Sequence, residues 1–325
     1  MNRYRAAVVG LGRIGLEYDY DAVDDSRVLT HAAGFHFHGG FELAAGVDGS
    51  AAARNRFAAK YRCPAFATVE EMLAACRPEV VSVAVPTALH GRVIEQVLAY
   101  GPRAVLAEKP LGGERNAAEG LVALARERGT LLLVNYMRRF EPGVLALKTA
   151  MAAGRYGDFY KGTVWYSKGL VNNCSHFIDL LIFLLGPVTE VALLRPGTET
   201  GSDPEPDFRL SFGAADIYFL AGREACFSMK EVALVSTAAQ IEYTHGGATI
   251  NVRRTVPHPT FPGYTVLAAA GTSVPTDFNR YQAYVTDALY RALATGAPLN
   301  STGETALATL AAVERVRELC RRRDK

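Results

Sequence analysis

The chain has little cysteine. Five of its 325 residues are cysteine (Cys63, Cys76, Cys174, Cys226 and Cys320), scattered and odd in number, and no two form a Cys-x-x-Cys pair. Such a set suggests neither a disulfide framework nor a zinc site, and a reducing cytoplasm is the expected setting. Charge of one sign is also lacking. Thirty-five Lys and Arg face 33 Asp and Glu, a net charge of +2, so neither nucleic acid nor a membrane surface is an expected partner. The one basic cluster, Arg321-Arg322-Arg323, ends the chain and is expected to complement a helix dipole. No apolar run is long enough for a transmembrane helix. The chain runs from Met1 into a charged, strand-like segment without a signal-peptide pattern. Internal repeats and low-complexity linkers are absent too. What remains, 49% hydrophobic and 21% charged residues, fits about two globular domains with sizeable cores.

The first half reads as alternating strands and helices. Residues 5–9 form a short apolar strand, and Gly10-Leu11-Gly12-Arg13-Ile14-Gly15 follows it. This is G-x-G-x-x-G between a strand and an expected helix. The first glycine permits a tight turn, the second lets backbone approach a pyrophosphate, and the third allows close helix–strand packing. The helix N-terminus directs free N–H groups toward the anion. A second strand over 42–47 ends in Asp48. A carboxylate there accepts bonds from the adenosine ribose hydroxyls and repels a 2′-phosphate, which favours NAD. Arg54, close in sequence, leaves NADP open. The separation from Gly15 exceeds the usual spacing. The excess is a polar stretch over 18–29 with Asp19, Asp21, Asp24 and Asp25, read as an inserted, solvated loop.

Further along, helices are expected over 50–61, 89–100 and 116–128, with strands over 80–85 and Leu131–Val134. Thr68 and Glu71 form a capping box that opens a helix to Cys76. The pattern implies a doubly wound sheet of six parallel strands. Pro86-Thr87-Ala88-Leu89-His90 follows one strand end, so His90 either lines a cofactor cleft or starts a helix. His31, His36 and His38 have no Cys or Glu at ligand spacing and read as ordinary helix and loop. Ala104–Ala107 is a buried strand, and Glu108-Lys109-Pro110 stands at its carboxyl end, where open α/β sheets bind ligands. A lysine there can meet a bound nucleotide and a second ligand at once. The proline removes a backbone donor and turns the chain, with a cis bond as one route. The plainer alternative is a surface loop that contains a lysine.

After Asn135 the pattern changes. Asn135-Tyr136-Met137-Arg138-Arg139-Phe140 leaves the sheet, and a helix is expected over 144–153. Apolar or alternating runs at Phe159–Tyr166, 190–194, 208–212, 216–220, 225–230, 232–236, 240–244 and 249–252 imply a large, mostly antiparallel sheet. Helices are expected over 279–295 and 302–322. Between the strands lies Asn172-Asn173-Cys174-Ser175-His176-Phe177-Ile178-Asp179, opening an apolar helix that stops at Gly186-Pro187. On that helix His176 and Asp179 share a face, and Asn172 joins them if the helix starts early enough. Asp179 can then fix the tautomer of His176 and leave its other nitrogen as a proton acceptor. A buried, satisfied histidine at a helix start is the alternative.

Gly10-x-Gly12-x-x-Gly15, Asp48, Pro86-Thr87-x-x-His90, Glu108-Lys109-Pro110, Asn135 to Phe140 and His176-x-x-Asp179, in this order, resemble the Gfo/Idh/MocA (glucose–fructose oxidoreductase/inositol dehydrogenase) family over nearly the whole chain. The resemblance implies an α/β chain with an N-terminal doubly wound Rossmann domain, 1–134. A C-terminal α/β domain follows, 135–325, whose large open sheet joins subunits into a homodimer or homotetramer. It implies an NAD- or NADP-dependent oxidoreductase for a secondary alcohol or ketone of a sugar, cyclitol or nucleotide-sugar. Gly10, Gly12, Arg13, Ile14, Gly15, Asp48, Pro86, Thr87, His90, Glu108 and Lys109 would bind the cofactor. Lys109 would contact the reacting hydroxyl and His176 would be the acid/base. Many members carry Asp where this chain has Asn172, which can orient substrate but cannot take a proton. Tyr166, Lys168, Asn172, Asn173 and Asp179 are substrate-side candidates, through a run that resembles a subgroup linked to bacterial surface sugars. Lys168 and Arg138 suit phosphate or carboxylate groups, with a surface role as the alternative for either. Two rival readings remain: a non-catalytic dinucleotide-binding regulator, and a dehydrogenase of a non-sugar diol or carbonyl. The retained Lys109 and His176 argue against the regulator.

Overall fold

The computed structural model of the protein describes residues 3–197 and 203–323; Met1, at the charged start noted above, lies outside them. The chain divides into two compact units, Met1–Phe140 with Asn279–Leu307, and Glu141–Phe278 with Ala308–Lys325. The division therefore falls a few residues beyond 134, and a later segment returns to the first unit. Packing explains the return. The helix Tyr281–Thr295 buries Val285 and Leu289 in the same core as Phe35, Phe41 and Phe140. Amphipathic spacing marks such a helix but does not say which core it covers.

In the first unit, β1 (Tyr4–Val9), β2 (Phe41–Val47), β3 (Ala65–Phe66), β4 (Val80–Val83), β5 (Ala104–Ala107) and β6 (Leu131–Val134) pair in the order β3-β2-β1-β4-β5-β6. Every pairing is parallel. β4 and β5 are buried at every residue, as strands covered on both faces are. The two-residue β3 is too short to show a period. The helices are α1 (His31–Phe37), α2 (Ala51–Tyr61), α3 (Val69–Cys76), α4 (His90–Tyr100) and α5 (Arg115–Glu127), and α3 opens with the expected Thr68/Glu71 capping box.

The helix expected after the glycine turn is a single π-helical turn, Arg13–Glu17. Residues 18–29 follow with neither helix nor strand, as an inserted loop. Its base is clasped by Asp19, which has no exposed surface. Asp19 Oδ2 accepts the N–H groups of Leu29 (2.6 Å) and Thr30 (2.9 Å), and Oδ1 accepts the Thr30 hydroxyl (2.6 Å). Thr30 in turn caps α1 by accepting the Ala33 N–H at 3.2 Å. Three aspartates of the loop, Asp21, Asp24 and Asp25, are exposed as expected, but Asp19 is a buried clasp that delivers His31 onto the sheet.

The second unit contains α6 (Pro142–Ala152), β7 (Phe159–Tyr166), α7 (Ser175–Leu185), β8 (Glu190–Arg195), β9 (Asp207–Phe212), β10 (Ala215–Ala221), β11 (Lys230–Ser236), β12 (Ala239–Thr244), β13 (Thr249–Pro257), β14 (Thr265–Leu267) and β15 (Thr272–Val274). The nine-stranded sheet runs β14-β13-β12-β11-β7-β10-β9-β8, with β15 also on β13. The β7–β10 pairing is parallel and the others are antiparallel. Alternate residues such as Val164, Phe208, Ile217, Phe219 and Leu234 face a core shared with Leu147, Phe177, Leu181 and Val316. Trp165, between two inward residues of β7, is 40% exposed, so the opposite face of the sheet is open.

The strand expected over 225–230 does not form. The N–H groups of Cys226 and Phe227 both donate to the Arg223 carbonyl, closing a turn, and the strand restarts at Lys230, opposite Tyr166. The apolar run there mimics a strand, yet Phe227 is 64% exposed. Replacing Asp19 by Ala strands three donors, two of them buried. It is expected to cost at least about 3 kcal/mol of unfolding free energy, whereas Asp21→Ala, an exposed partner of Arg27, should stay within about 1 kcal/mol. Denaturant unfolding of both variants checks the contrast.

Candidate active site

β1 runs into the glycine turn. Gly10 has a φ of +95°, and a Cβ there would lie 2.5 Å from the Ala84 carbonyl oxygen, just past β4. A Cβ on Gly15 would overlap the carbonyl oxygen of Gly10. Packing therefore demands the first and third glycines. Gly12 differs: nothing lies within 4 Å of where its Cβ would be. Arg13 is exposed and Ile14 half-buried. Asp48, just past β2, steadies the turn. Its Oδ2 accepts the Leu11 N–H (2.9 Å) and its Oδ1 that of Ser50 (2.8 Å), and each oxygen keeps a second lone pair. Arg54 donates through Nη1 to the carbonyls of Asp48 (2.8 Å) and Gly49 (3.0 Å), which places it at the same strand end.

Pro86 and Thr87 are exposed in the turn that leaves β4. His90 is not. It is 2% exposed, with Nδ1 2.9 Å from the Pro110 carbonyl and Nε2 2.8 Å from that of Val85. It ties the turn after β5 to the turn after β4, which makes it a structural brace of the cleft edge rather than a ring turned to a ligand.

At the end of β5 the Lys109–Pro110 bond is cis. The Glu108 side chain is 12% exposed. Its Oε1 lies 2.9 Å from His31 Nε2 and accepts from Asn135 Nδ2 at 2.6 Å. His31 has no exposed surface, and its Nδ1 is 2.7 Å from the Ser82 hydroxyl of β4. Asn135 Nδ2 also donates to Gln282 Oε1 at 3.1 Å. Burial opposes ionisation of Glu108. The His31 hydrogen bond, the Asn135 hydrogen bond and the Lys109 charge outweigh it and hold the carboxyl below its usual range. Glu108, expected on the cofactor, is thus engaged by protein donors on both oxygens: His31 and Asn135 at Oε1, and the Lys109 N–H at Oε2 (3.3 Å). His31, read from the sequence as an ordinary helix residue, proves to be its partner across 77 positions; no spacing rule spans that distance. Lys109 beside it is half-buried. Arg138, in the 3-10 turn Met137–Phe140, is 4% exposed, a buried cation rather than a surface one.

In the second unit, His176 is the second residue of α7 and shares a face with Asp179. Asp179 is fully buried, and its Oδ1 accepts the Thr309 hydroxyl at 2.9 Å. A π-helical turn, Gly169–Cys174, precedes α7. Asn172 therefore lies outside the regular α-helix, and its four-residue spacing to His176 is not an α-helical one. Carboxylates hold this turn. Glu205 accepts the Gly169 N–H (3.0 Å), and Asp203 accepts those of Val171 and Asn172 (both 2.8 Å). Gly169 has a φ of +87°, and a Cβ there would overlap the Asp203 carboxylate.

Lys168, just before it, has a φ of +67°, uncommon for a residue with a side chain. Its Nζ lies 3.0 Å from Glu224 Oε1. Glu224 also accepts the Ser167 hydroxyl at 2.6 Å; that bond, aided by Lys168, holds its carboxyl below the usual range. Besides Asp179, two expected substrate contacts are buried on protein partners. Tyr166 has no exposed surface, and its hydroxyl donates to the Pro206 carbonyl at 2.5 Å. Asn173 is 7% exposed and donates to the Ser167 carbonyl at 2.8 Å. Both brace the turn from beneath. His176, Asn172 and Lys168 present surface.

Residues 4–136 match the model of Gfo/Idh/MocA, an oxidoreductase family with an NAD-binding Rossmann fold. The UDP-N-acetylglucosamine 3-dehydrogenase of Acidithiobacillus ferrooxidans is 26% identical over 57% of this chain and 56% of its own length. The inositol 2-dehydrogenase of Rhizobium meliloti is 26% identical over 58% and 57%. The matches span a little over half of each relative. Among solved structures, the WlbA dehydrogenase of Bordetella pertussis, in complex with NADH and UDP-GlcNAcA, gives a TM-score of 0.77 at 19% identity over 98% of this chain and 96% of that one. That likeness speaks for the fold alone. Residues 4–136 therefore carry the NAD-binding Rossmann fold of the Gfo/Idh/MocA oxidoreductase family. The NAD that this family's Rossmann fold binds suits the residues present. The space at Gly12, beside N–H groups that a first helical turn leaves without partners, suits a pyrophosphate. Asp48 keeps lone pairs for ribose hydroxyls.

Among the described residues no group of three or more His, Cys, Asp or Glu is placed to hold a metal ion. The two packing glycines and the open one separate folding from binding. Gly12→Ala should leave stability within about 0.5 kcal/mol and weaken NADH binding about ten-fold or more. Gly15→Ala should lose more than about 3 kcal/mol. Thermal unfolding and NADH fluorescence titration read the two effects.

Proposed function

We propose that the protein is an NAD-dependent dehydrogenase or reductase acting on a secondary alcohol, or the matching ketone, of a sugar, cyclitol or nucleotide-sugar. The observation that carries the reading is the placement of Lys109. It follows β5, two strands from β1 in the sheet whose glycine turn suits a dinucleotide, and a buried carboxylate stands beside it. Bound NAD supplies the hydride acceptor. As the carbinol carbon gives up its hydride and becomes a carbonyl carbon, the hydroxyl proton passes to His176 and then to water. Lys109 donates a hydrogen bond to the same oxygen, where its charge stabilises developing alkoxide. Asn172 orients substrate without exchanging a proton. Lys168, whose ammonium is half-exposed and paired with Glu224, suits an anionic substituent such as a phosphate. The Asp48 carboxylate favours NAD over NADP. A cytoplasmic setting fits the nicotinamide pool and five free cysteines.

The open face of the nine-stranded sheet is the proposed subunit interface for a homodimer or homotetramer. On it Trp165 lies opposite Leu220 on one side and Glu231 on the other. Trp165→Arg should convert the oligomer to monomers in light scattering without loss of folded structure; unchanged mass would refute this interface.

Activity is tested with NAD and NADH against UDP-N-acetylglucosamine, inositol and their keto forms, followed at the nicotinamide absorbance. General acid–base catalysis is worth about 10²–10⁴-fold, so His176→Ala should lower kcat/KM by that order while NADH still binds. Lys109→Met should fall comparably. Full turnover in either folded variant removes the role given to that residue. Tight NADH binding with no turnover across the panel would favour the regulator.

A further inference from the structure

His31, Ser82, Glu108, Asn135 and Gln282 come from four strand or helix ends and one strand interior, yet their side chains meet in one buried cluster. All but Glu108 are at most 1% exposed. Glu108 Oε1 sits 2.9 Å from His31 Nε2 and 2.6 Å from Asn135 Nδ2. A carboxylate oxygen only accepts, so His31 Nε2 carries a hydrogen toward it. Nδ1 of His31 is then the acceptor, and two donors reach it: the Ser82 hydroxyl at 2.7 Å and Gln282 Nε2 at 3.4 Å. The Gln282 amide is oriented by Asn135, whose Nδ2 donates to Gln282 Oε1 at 3.1 Å. Every side chain in the ring thereby specifies the hydrogen positions of its neighbours. His31 itself is placed by the Asp19–Thr30 clasp of the insertion.

The cluster is not a proton relay, because neither His31 nor Ser82 has surface through which a proton could leave. Nor is it a metal site, having one carboxylate and one imidazole. We propose that His31 is the positioning residue of the Glu108-Lys109-Pro110 turn: it holds Glu108 as an oriented, ionised carboxylate, and that fixed anion keeps the Lys109 ammonium charged and in place.

This rests on the reading of Lys109 as the group that steadies the substrate oxygen. Such an ammonium must shed water without shedding its proton, and a fixed anion behind it achieves that. Burial alone would drive Glu108 toward its neutral form. His31 is the first of the groups that reverse this, ahead of Asn135 and Lys109. Tyr281 also senses Glu108: burial and the Glu108 charge keep its phenol neutral. The 18–29 insertion thereby gains a role: it is the means by which His31 is delivered under the turn.

The test needs no substrate, so it can fail independently of the hydride-transfer reading. The full chain with NADH bound is titrated between about pH 5 and about pH 8, around the ordinary carboxylate and imidazole ranges, and infrared difference spectra follow the C=O stretch of protonated carboxyl groups. The Glu108 band is assigned by its loss in Glu108→Gln. The wild type should show no such band. In His31→Leu the band should appear, with proton affinity raised at least about ten-fold. His31→Gln retains an N–H donor near the Nε2 position and should suppress it. Should His31→Leu fail to fold, Ser82→Ala keeps the imidazole but removes the nearer of its two Nδ1 partners and should give a smaller rise. No band in His31→Leu, an equal band in His31→Gln, or no rise in Ser82→Ala would overturn the proposal.

Discussion

Glu108 is a carboxylate with 12% of its side chain exposed, and burial of that degree penalises its charged form. The arrangement of the first unit around it follows from that constraint. β4 supplies Ser82, the residue after β6 supplies Asn135, and the returning helix supplies Gln282, each through a side chain that water does not reach. The inserted loop, an apparent irregularity, is closed by Asp19 so that His31 enters at the required height. A buried polar network of this kind ties the loop, the sheet and the returning helix to one local geometry. Lys109 inherits its setting from that geometry.

The second unit solves a similar problem with exposed or half-buried carboxylates instead of a buried one. His176 needs a fixed helix start, and the backbone before it is an irregular π-helical turn with several free N–H groups. Asp203 and Glu205 accept three of them, and Gly169 is the residue that leaves room for the Asp203 carboxylate. π-helical turns recur at functional sites, and here one displaces Asn172 from the helical face while leaving His176 on it. Tyr166 and Asn173, chemically plausible as ligand contacts, are buried props of the same turn.

The sequence was legible wherever a signal is local. The Thr68/Glu71 capping box, the apolar run Leu131–Val134 and the alternation in Phe159–Tyr166 each appear where their spacing placed them. The Glu-Lys-Pro triplet was legible as a strand-end feature, and its cis proline as one of two routes. What escaped depends on distance or on brevity. β3 has two residues, too few for a period. The run before Lys230 is apolar enough for a strand, but the Arg223 carbonyl closes a turn on two of its N–H groups. The His31–Glu108 pair and the return of Tyr281–Thr295 to the first core join residues far apart in the chain, and no windowed pattern carries such information. Glycine roles fell between these cases: the motif named three positions, and packing separates two structural ones from the one left open.

The central claim is that this chain moves hydride at a carbinol carbon, with Lys109 and His176 handling the oxygen and its proton. The most direct measurement supplies NADH with both hydrogens at the nicotinamide 4-position replaced by deuterium, together with keto-sugar or keto-cyclitol substrates, and weighs the product by mass spectrometry. The account predicts one deuterium on the new carbinol carbon with the wild-type protein, and the same product formed about 10²–10⁴-fold more slowly with His176→Ala. Undeuterated product in every reaction, while the cofactor binds and the protein is folded, would contradict it.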